Sequence, residues 1–229
     1  MKKLVIIPAF NEEGNLEKTI QDIKENAPEF DYVIINDCST DGTLAMCRRH
    51  GFSYLNLPIN LGIGGAVQTG YRYAYYHGYD IVVQFDGDGQ HSAGYLPEMA
   101  RLLEQNQADM VIGSRFITGE GFQSSSLRRL GIRYFTFLIR LLTGMKITDP
   151  TSGMRMINRK LMEKFTEEYP KDYPEPESIV TILSEKFQVK EMSVVMNERE
   201  AGSSSISFRK GVYYMIKVSF AILIARMKR

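Results

Sequence analysis

Residues Asp86-Gly87-Asp88-Gly89-Gln90-His91 put two carboxylates one residue apart, directly after the run Ile81-Val82-Val83-Gln84-Phe85. Two anions held this close repel unless positive charge sits between them. A hard divalent cation, Mg2+ or Mn2+, is the usual solution, because it keeps several waters and takes phosphate oxygens as further ligands. The hexapeptide therefore points to an enzyme that handles a diphosphate. An Asp-Gly turn between two strands is the alternative that needs no ligand.

The surrounding chain supplies elements to position such a site. Leu4–Ala9, Asp31–Asn36, Phe52–Asn56, Ile81–Phe85 and Met110–Gly113 read as strands. Leu16–Asn26, a segment ending at His50 and capped by Ser39 or Thr40, a glycine-led segment ending near Gly78, and Leu96–Gln105 read as helices between them. This alternation predicts an α/β fold with a mostly parallel sheet flanked by helices. Ligands bind such sheets at the carboxyl ends of strands, where Pro8-Ala9-Phe10-Asn11, Asp37 and Asp86-Gly87-Asp88 all fall. The second half is less regular. Leu127–Leu142 is apolar at helical spacing, Asp149–Gly153 reads as a turn, Lys171–Glu177 as a proline-stiffened loop leading into a helix, and Val189–Met196 as a late strand.

The 229 residues suit one α/β domain. Lys and Arg number 28 against 27 Asp and Glu, so no global basic field argues for nucleic acid. Cys38 and Cys47 form no CxxC pair. The N-terminal apolar stretch is short and is ended by Pro8 and Asn11-Glu12-Glu13, so it reads as the first strand of a cytosolic fold. Gly211–Ala225 is mostly apolar, interrupted by Lys217 and bracketed by Arg209, Lys210, Arg226, Lys228 and Arg229. A spanning helix needs roughly 20 apolar residues. An amphipathic helix in the membrane interface is expected instead over 208–229, following a catalytic domain over 1–207. A packed C-terminal helix and a dimerisation helix are the alternatives. Gly62-Ile63-Gly64-Gly65 is no dinucleotide fingerprint, since Val67 occupies the third glycine position and the loop follows the third strand. These glycines suit either packing or ligand contact. No P-loop pattern occurs.

Pro8-Ala9-Phe10-Asn11-Glu12-Glu13, Asn36-Asp37-Cys38-Ser39-Thr40-Asp41-Gly42-Thr43, Asn60-Leu61-Gly62 and Asp86–His91 resemble, in order and rough spacing, the motifs of family 2 glycosyltransferases. Gly113-Ser114-Arg115, Asp149-Pro150-Thr151-Ser152-Gly153-Met154-Arg155 and Arg199-x-x-Gly202-x-Ser204 resemble its polyprenyl-phosphate branch, that of the dolichol-phosphate mannose synthases. The resemblance implies a GT-A fold and assigns roles. Asp37 would accept a hydrogen bond from the base. Pro8, Ala9, Phe10, Glu12, Gly65, Asp86 and Gly87 would contact the nucleotide sugar. Asp86 and Asp88 would hold the metal, with Gln90 as a third ligand. Arg115 and Arg155 would take the diphosphate or acceptor phosphate, and Arg199 with Ser204 the acceptor phosphate. Structural ion pairs are the alternative for each arginine. Asp149 would be a base or acceptor organiser, with turn stabilisation before Pro150 as its alternative.

The implied reaction is inverting, metal-dependent transfer from a nucleotide sugar, UDP-glucose or UDP-N-acetylglucosamine, to undecaprenyl phosphate for cell-wall or surface-polysaccharide synthesis. A hydroxyl acceptor needs a general base, whereas an ionised lipid phosphate is itself the nucleophile. The basic, apolar segments 127–142 and 208–229 favour a membrane surface, placing the enzyme peripherally at the cytoplasmic face. The chain lacks the paired C-terminal transmembrane helices of many relatives and is similar to short bacterial members, which implies a small membrane-protein partner; homo-oligomerisation stays open. The competing readings are transfer to a saccharide hydroxyl and a non-catalytic nucleotide-sugar-binding subunit that recruits partners to a membrane. A Rossmann-type oxidoreductase is the weakest.

Overall fold

The structure is a computed structural model that describes residues 1–123, 125–197 and 208–227. Its centre is a seven-stranded sheet in the order β3-β2-β1-β4-β6-β5-β7. The strands are β1 (Lys3–Ala9), β2 (Phe30–Asn36), β3 (Tyr54–Asn56), β4 (Ile81–Gln84), β5 (Met110–Ser114), β6 (Arg155–Asn158) and β7 (Val189–Ser193). β1 pairs in parallel with β2 and β4, β2 with β3, and β5 with β7, while β6 runs antiparallel between β4 and β5. The helices are α1 (Leu16–Asn26), α2 (Thr43–His50), α3 (Gly62–Tyr76), α4 (Leu96–Glu104), α5 (Ser126–Thr143), α6 (Arg159–Glu167), α7 (Pro174–Ser184) and α8 (Phe208–Met227). This is the mostly parallel α/β sheet read from the alternation of strands and helices.

Successive side chains of a strand point to opposite faces, so a strand covered on both reads as an unbroken apolar run. In β1, Leu4 and Ile6 join a core with α3, α5, α6 and α7, while Val5 and Ile7 join one with α1, α2 and α4. α3 lies close to the sheet because Gly70 faces Ile6; a Cβ at Gly70 would stand 2.8 Å from Ile6 Cδ1.

Three local readings change. The N-cap of α2 is Gly42, with no side-chain cap. Ser39 and Thr40 bond to Asn11 instead, and Asp41 Oδ1 accepts from the Thr43 N–H. Within the proline-rich loop, α7 already begins at Pro174, since proline in the first helical turn forfeits no intrahelical bond. β6 and α6 had no counterpart in the sequence reading. β6 has only four residues, opening on Arg155 and closing on Asn158, so its polar ends hide two central apolar residues.

α5 and α8 are apolar on two faces. On α5, Ile132, Phe135 and Ile139 are buried, while Leu130, Tyr134, Phe137 and Leu141 are exposed. On α8, Val218, Ile222 and Ala225 are buried, while Ile216, Phe220, Leu223, Ile224 and Met227 are exposed. Val218 and Ile222 belong to the same core as α3 and α7, so α8 packs on the body of the protein, the alternative weighed above for this segment. Tyr134 Oη lies 2.9 Å from Ser219 Oγ, setting the two exposed stripes side by side. Among the described residues, no helix is long and apolar enough to cross a membrane.

Gly70→Val forces a branched side chain into the α3–β1 contact. Urea unfolding should show a loss of about 1–3 kcal/mol, the range for overpacking a filled core. An unchanged midpoint would mean that α3 shifts freely on the sheet.

Candidate active site

The carboxyl ends of β1, β2 and β4 open into one cleft of about 420 Å³. It is lined by Pro8, Ala9, Phe10, Glu12, Asp37, Asn60, Gly62, Ile63, Ala66, Asp86, Gly87, Asp88 and Glu175. Of the residues singled out for the nucleotide sugar, Pro8, Ala9, Phe10, Glu12, Asp37, Asp86 and Gly87 thus meet in one place. Gly65 does not line the cleft; a Cβ there would collide with Leu61, so its smallness serves packing at the start of α3.

The rim is stitched from adjacent loops. Asn11, at φ 59°, turns its Oδ1 to accept from the Thr40 N–H at 2.8 Å. The Glu12 N–H donates to Thr43 Oγ1, and the Gly42 N–H to Glu13. Asp37 is buried; its Oδ1 accepts from the Leu61 N–H at 2.7 Å, and its carbonyl accepts from the Asn60 amide. These bonds tie the loops after β1 and β2 to each other, and Asp37 ties the loop after β2 to the start of α3.

Asp86 and Asp88 follow β4. Asp88 Oδ1 accepts from the Gln90 N–H, closing a turn. Gly153 supplies the room beside Asp86, because any Cβ there would overlap its carboxylate. Gln90 lies off the cleft, its amide nitrogen 3.4 Å from the Asn197 carbonyl. Among the described residues, no group of three or more His, Cys, Asp or Glu is arranged to hold a metal ion. Two carboxylates facing an open cleft nonetheless fit Mg2+ or Mn2+, which takes its other ligands from water and phosphate.

Glu175 was missed from sequence. It lies between Pro174 and Pro176 in the first turn of α7, and the prolines drew the reading toward a loop. Burial raises its carboxyl pKa, Arg155 beside it opposes this, and the nearby Asp86 charge adds to the rise. The helix N-terminus favours a carboxylate there. A glutamate flanked by helix-starting prolines was the available signal.

The two arginines of the second half do not line the cleft. Arg115 grips Asp149 through two bonds, Nε to Oδ2 at 2.6 Å and Nη2 to Oδ1 at 3.1 Å, with both side chains almost fully buried. Asp149 pairs with Arg115 in the interior and does not line the cleft. Arg155 is fully buried and donates to the carbonyls of Pro150, Ser152 and Glu175 and to Ser178 Oγ. Both geometries match the structural alternative weighed for these arginines. Arg199 and Ser204 lie outside the described residues.

A second depression, about 510 Å³ and lined by Lys24, Asp31, Tyr32, Tyr73 and Tyr79 among others, lies toward the amino ends of the strands. There Tyr79 donates to Asp31, and Lys24 stacks over Tyr32. Ligands of open α/β sheets bind at the opposite edge.

If the Arg115–Asp149 pair is structural, Asp149→Ala removes the carboxylate that balances a buried guanidinium and should cost about 3–5 kcal/mol in urea unfolding. The double variant Arg115→Met/Asp149→Ala should recover most of that loss. A fully stable Asp149→Ala with lost turnover would instead assign Asp149 to chemistry.

The family model "Glycosyl transferase family 2" matches residues 4–166. An undecaprenyl-phosphate mannosyltransferase of Micrococcus luteus is 35% identical over 162 residues, covering 68% of this chain and 65% of that protein, just under two thirds of its length. A UDP-N-acetylglucosamine–dolichyl-phosphate N-acetylglucosaminyltransferase of Methanococcus voltae is 27% identical over 97% of this chain and 95% of its own. Glucosyl-3-phosphoglycerate synthase of Mycobacterium tuberculosis, solved with Mn2+, UDP-glucose and phosphoglyceric acid, superposes with a TM-score of 0.77 at 17% identity, covering 98% of this chain and 79% of that one. The last likeness shows the fold, which is GT-A. The chain belongs to glycosyl transferase family 2 and is a glycosyltransferase.

Proposed function

We propose that this family 2 glycosyltransferase moves a sugar from a nucleotide sugar, UDP-linked, to undecaprenyl or another polyprenyl phosphate at the cytoplasmic face of a membrane, with Mg2+ or Mn2+ bound. The observation that carries the donor half is electrostatic. Glu12, Asp37, Asp86, Asp88 and Glu175 line one cleft, and no lining residue among those described is basic. An anionic diphosphate entering such a cleft needs a cation. Asp86 and Asp88 would hold it, and when bound it supplies neutralising charge for the departing nucleotide. Phe10 and Pro8 offer apolar surface to the base, and Asp37 an acceptor for its N–H. Glu175 lies at the end of the cleft shared with Asp86, where it can accept from sugar hydroxyls.

The acceptor half rests on the relatives' names and on the outer face of α5 and α8. Neither helix contains an Asp or Glu, although the chain has 27. Arg128, Arg129, Arg133, Arg140, Lys217 and Arg226 accompany the two exposed apolar stripes. Apolar side chains on helices that carry cations and no acidic residue of their own suit an anionic lipid surface. A lipid phosphate held there would attack the anomeric carbon in line through an ionised oxygen. The new bond forms as the bond to the nucleotide's β-phosphate breaks, with inversion and no proton to remove. Arg199 and Ser204 remain the candidates for that phosphate. Glu175 favours a second reading, because a carboxyl with a raised pKa in the cleft could act as base toward a saccharide hydroxyl.

Incubation with a panel of nucleotide sugars, undecaprenyl phosphate in detergent and Mn2+ or Mg2+ should yield a glycolipid by mass spectrometry, abolished by chelator. Asp88→Ala should lower kcat/KM by roughly 100-fold or more. Product on a saccharide and none on lipid phosphate would select the second reading.

Phe137→Asp and Phe220→Asp should each weaken sedimentation with vesicles containing phosphatidylglycerol by about 10-fold or more, since each replaces an exposed aromatic side chain that would be buried in lipid with a charge. Unchanged sedimentation, or a dimer that these variants split, would assign the face to protein contact.

A further inference from the structure

The carboxylate of Asp86 has a donor near each oxygen. Gln84 Nε2 stands 3.4 Å from Oδ1, and His91 Nε2 stands 3.4 Å from Oδ2. His91 belongs to the Asp86–His91 motif, yet nothing described so far uses it. Its side chain is 1% exposed. Its ring packs on Phe85 at a centroid distance of 5.5 Å. Neither ring nitrogen has a hydrogen-bond partner among the described residues. A buried imidazole in that state is costly, and phenylalanine would fill the same space without that penalty. The separation from Asp86 is longer than a strong hydrogen bond, but a small rotation of the carboxylate closes it.

We propose that His91 is a positioning residue for Asp86, donating its Nε2–H to Oδ2 when that carboxylate takes the divalent cation of the donor complex. The inference rests on the reading of Asp86 as a cation ligand. Nδ1 is then the unprotonated nitrogen, facing the apolar surroundings. With Gln84 on one oxygen and His91 on the other, the carboxylate is held in one orientation over Gly153. Outer partners of this kind hold metal-binding groups in place, and their loss typically weakens metal binding by about 10–100-fold.

The test is Mn2+ affinity in the presence of UDP, read by electron paramagnetic resonance on the full chain, with no turnover required. His91→Phe keeps the ring beside Phe85 and removes the donor. The expected result is an Mn2+ Kd raised by about 10–100-fold, with the metal-free thermal midpoint unchanged or higher. His91→Gln, which retains an N–H, should fall between His91→Phe and the parent. Parent-like Mn2+ affinity in His91→Phe overturns the proposal while leaving the cation site intact. Parent-like affinity in Asp86→Asn instead overturns the reading beneath it. Should His91→Phe fail to fold, long-range 1H–15N spectra of the parent protein decide. The Nε2–H tautomer, shifting when Mg2+ and UDP are added together, is expected; an Nδ1–H tautomer, or no shift, sinks the idea.

Discussion

Mutual repulsion among five carboxylates is the constraint around which this molecule is arranged. Glu12, Asp37, Asp86, Asp88 and Glu175 come from four separate stretches of chain and share one cleft. Holding them together requires a scaffold that cannot splay. The strands beneath supply it, because β1 and β4 are apolar on both faces and packed from both sides. The local compensation comes from neutral donors and helix ends. Asp37 takes the Leu61 N–H, Asp88 takes the Gln90 N–H, and Glu175 sits at the start of α7 beside Arg155. None of these adds a mobile cation to the cleft lining. On the proposed reading, the net charge of the cleft is left for a small ion that arrives with the diphosphate, and affinity for the donor becomes conditional on that ion.

Much of this was legible in the sequence, for a physical reason. In a parallel sheet every strand delivers its C-terminal residue to the same edge, so residues that follow apolar runs converge whatever their separation along the chain. Pro8 to Glu12, Asp37 and Asp86 to Asp88 could be placed together on that ground alone. The second half resisted where β6 inserts, because that strand is antiparallel, short and polar at its ends. β6 has only two apolar residues between polar ends, and only its burial between β4 and β5 makes it a central strand. Arg115 and Arg155 carry the residue type that phosphate favours, yet residue type does not say which way a guanidinium points. Their donors face a buried carboxylate and backbone carbonyls. Glu175 stayed hidden because proline signals both a loop and the first turn of a helix.

α7 relates the two halves of the proposed reaction. Its first turn carries Glu175 into the donor cleft, and its body packs against α8 and α5, whose outer faces carry the apolar stripes. On the proposed reading, each apolar face of α5 and α8 has its own task. One face must bury against α7 and the sheet to keep Glu175 in register with Asp86. The other must stay apolar for the helix pair to lie on lipid. An ordinary amphipathic helix, with a single apolar face, could satisfy one of these demands but not both.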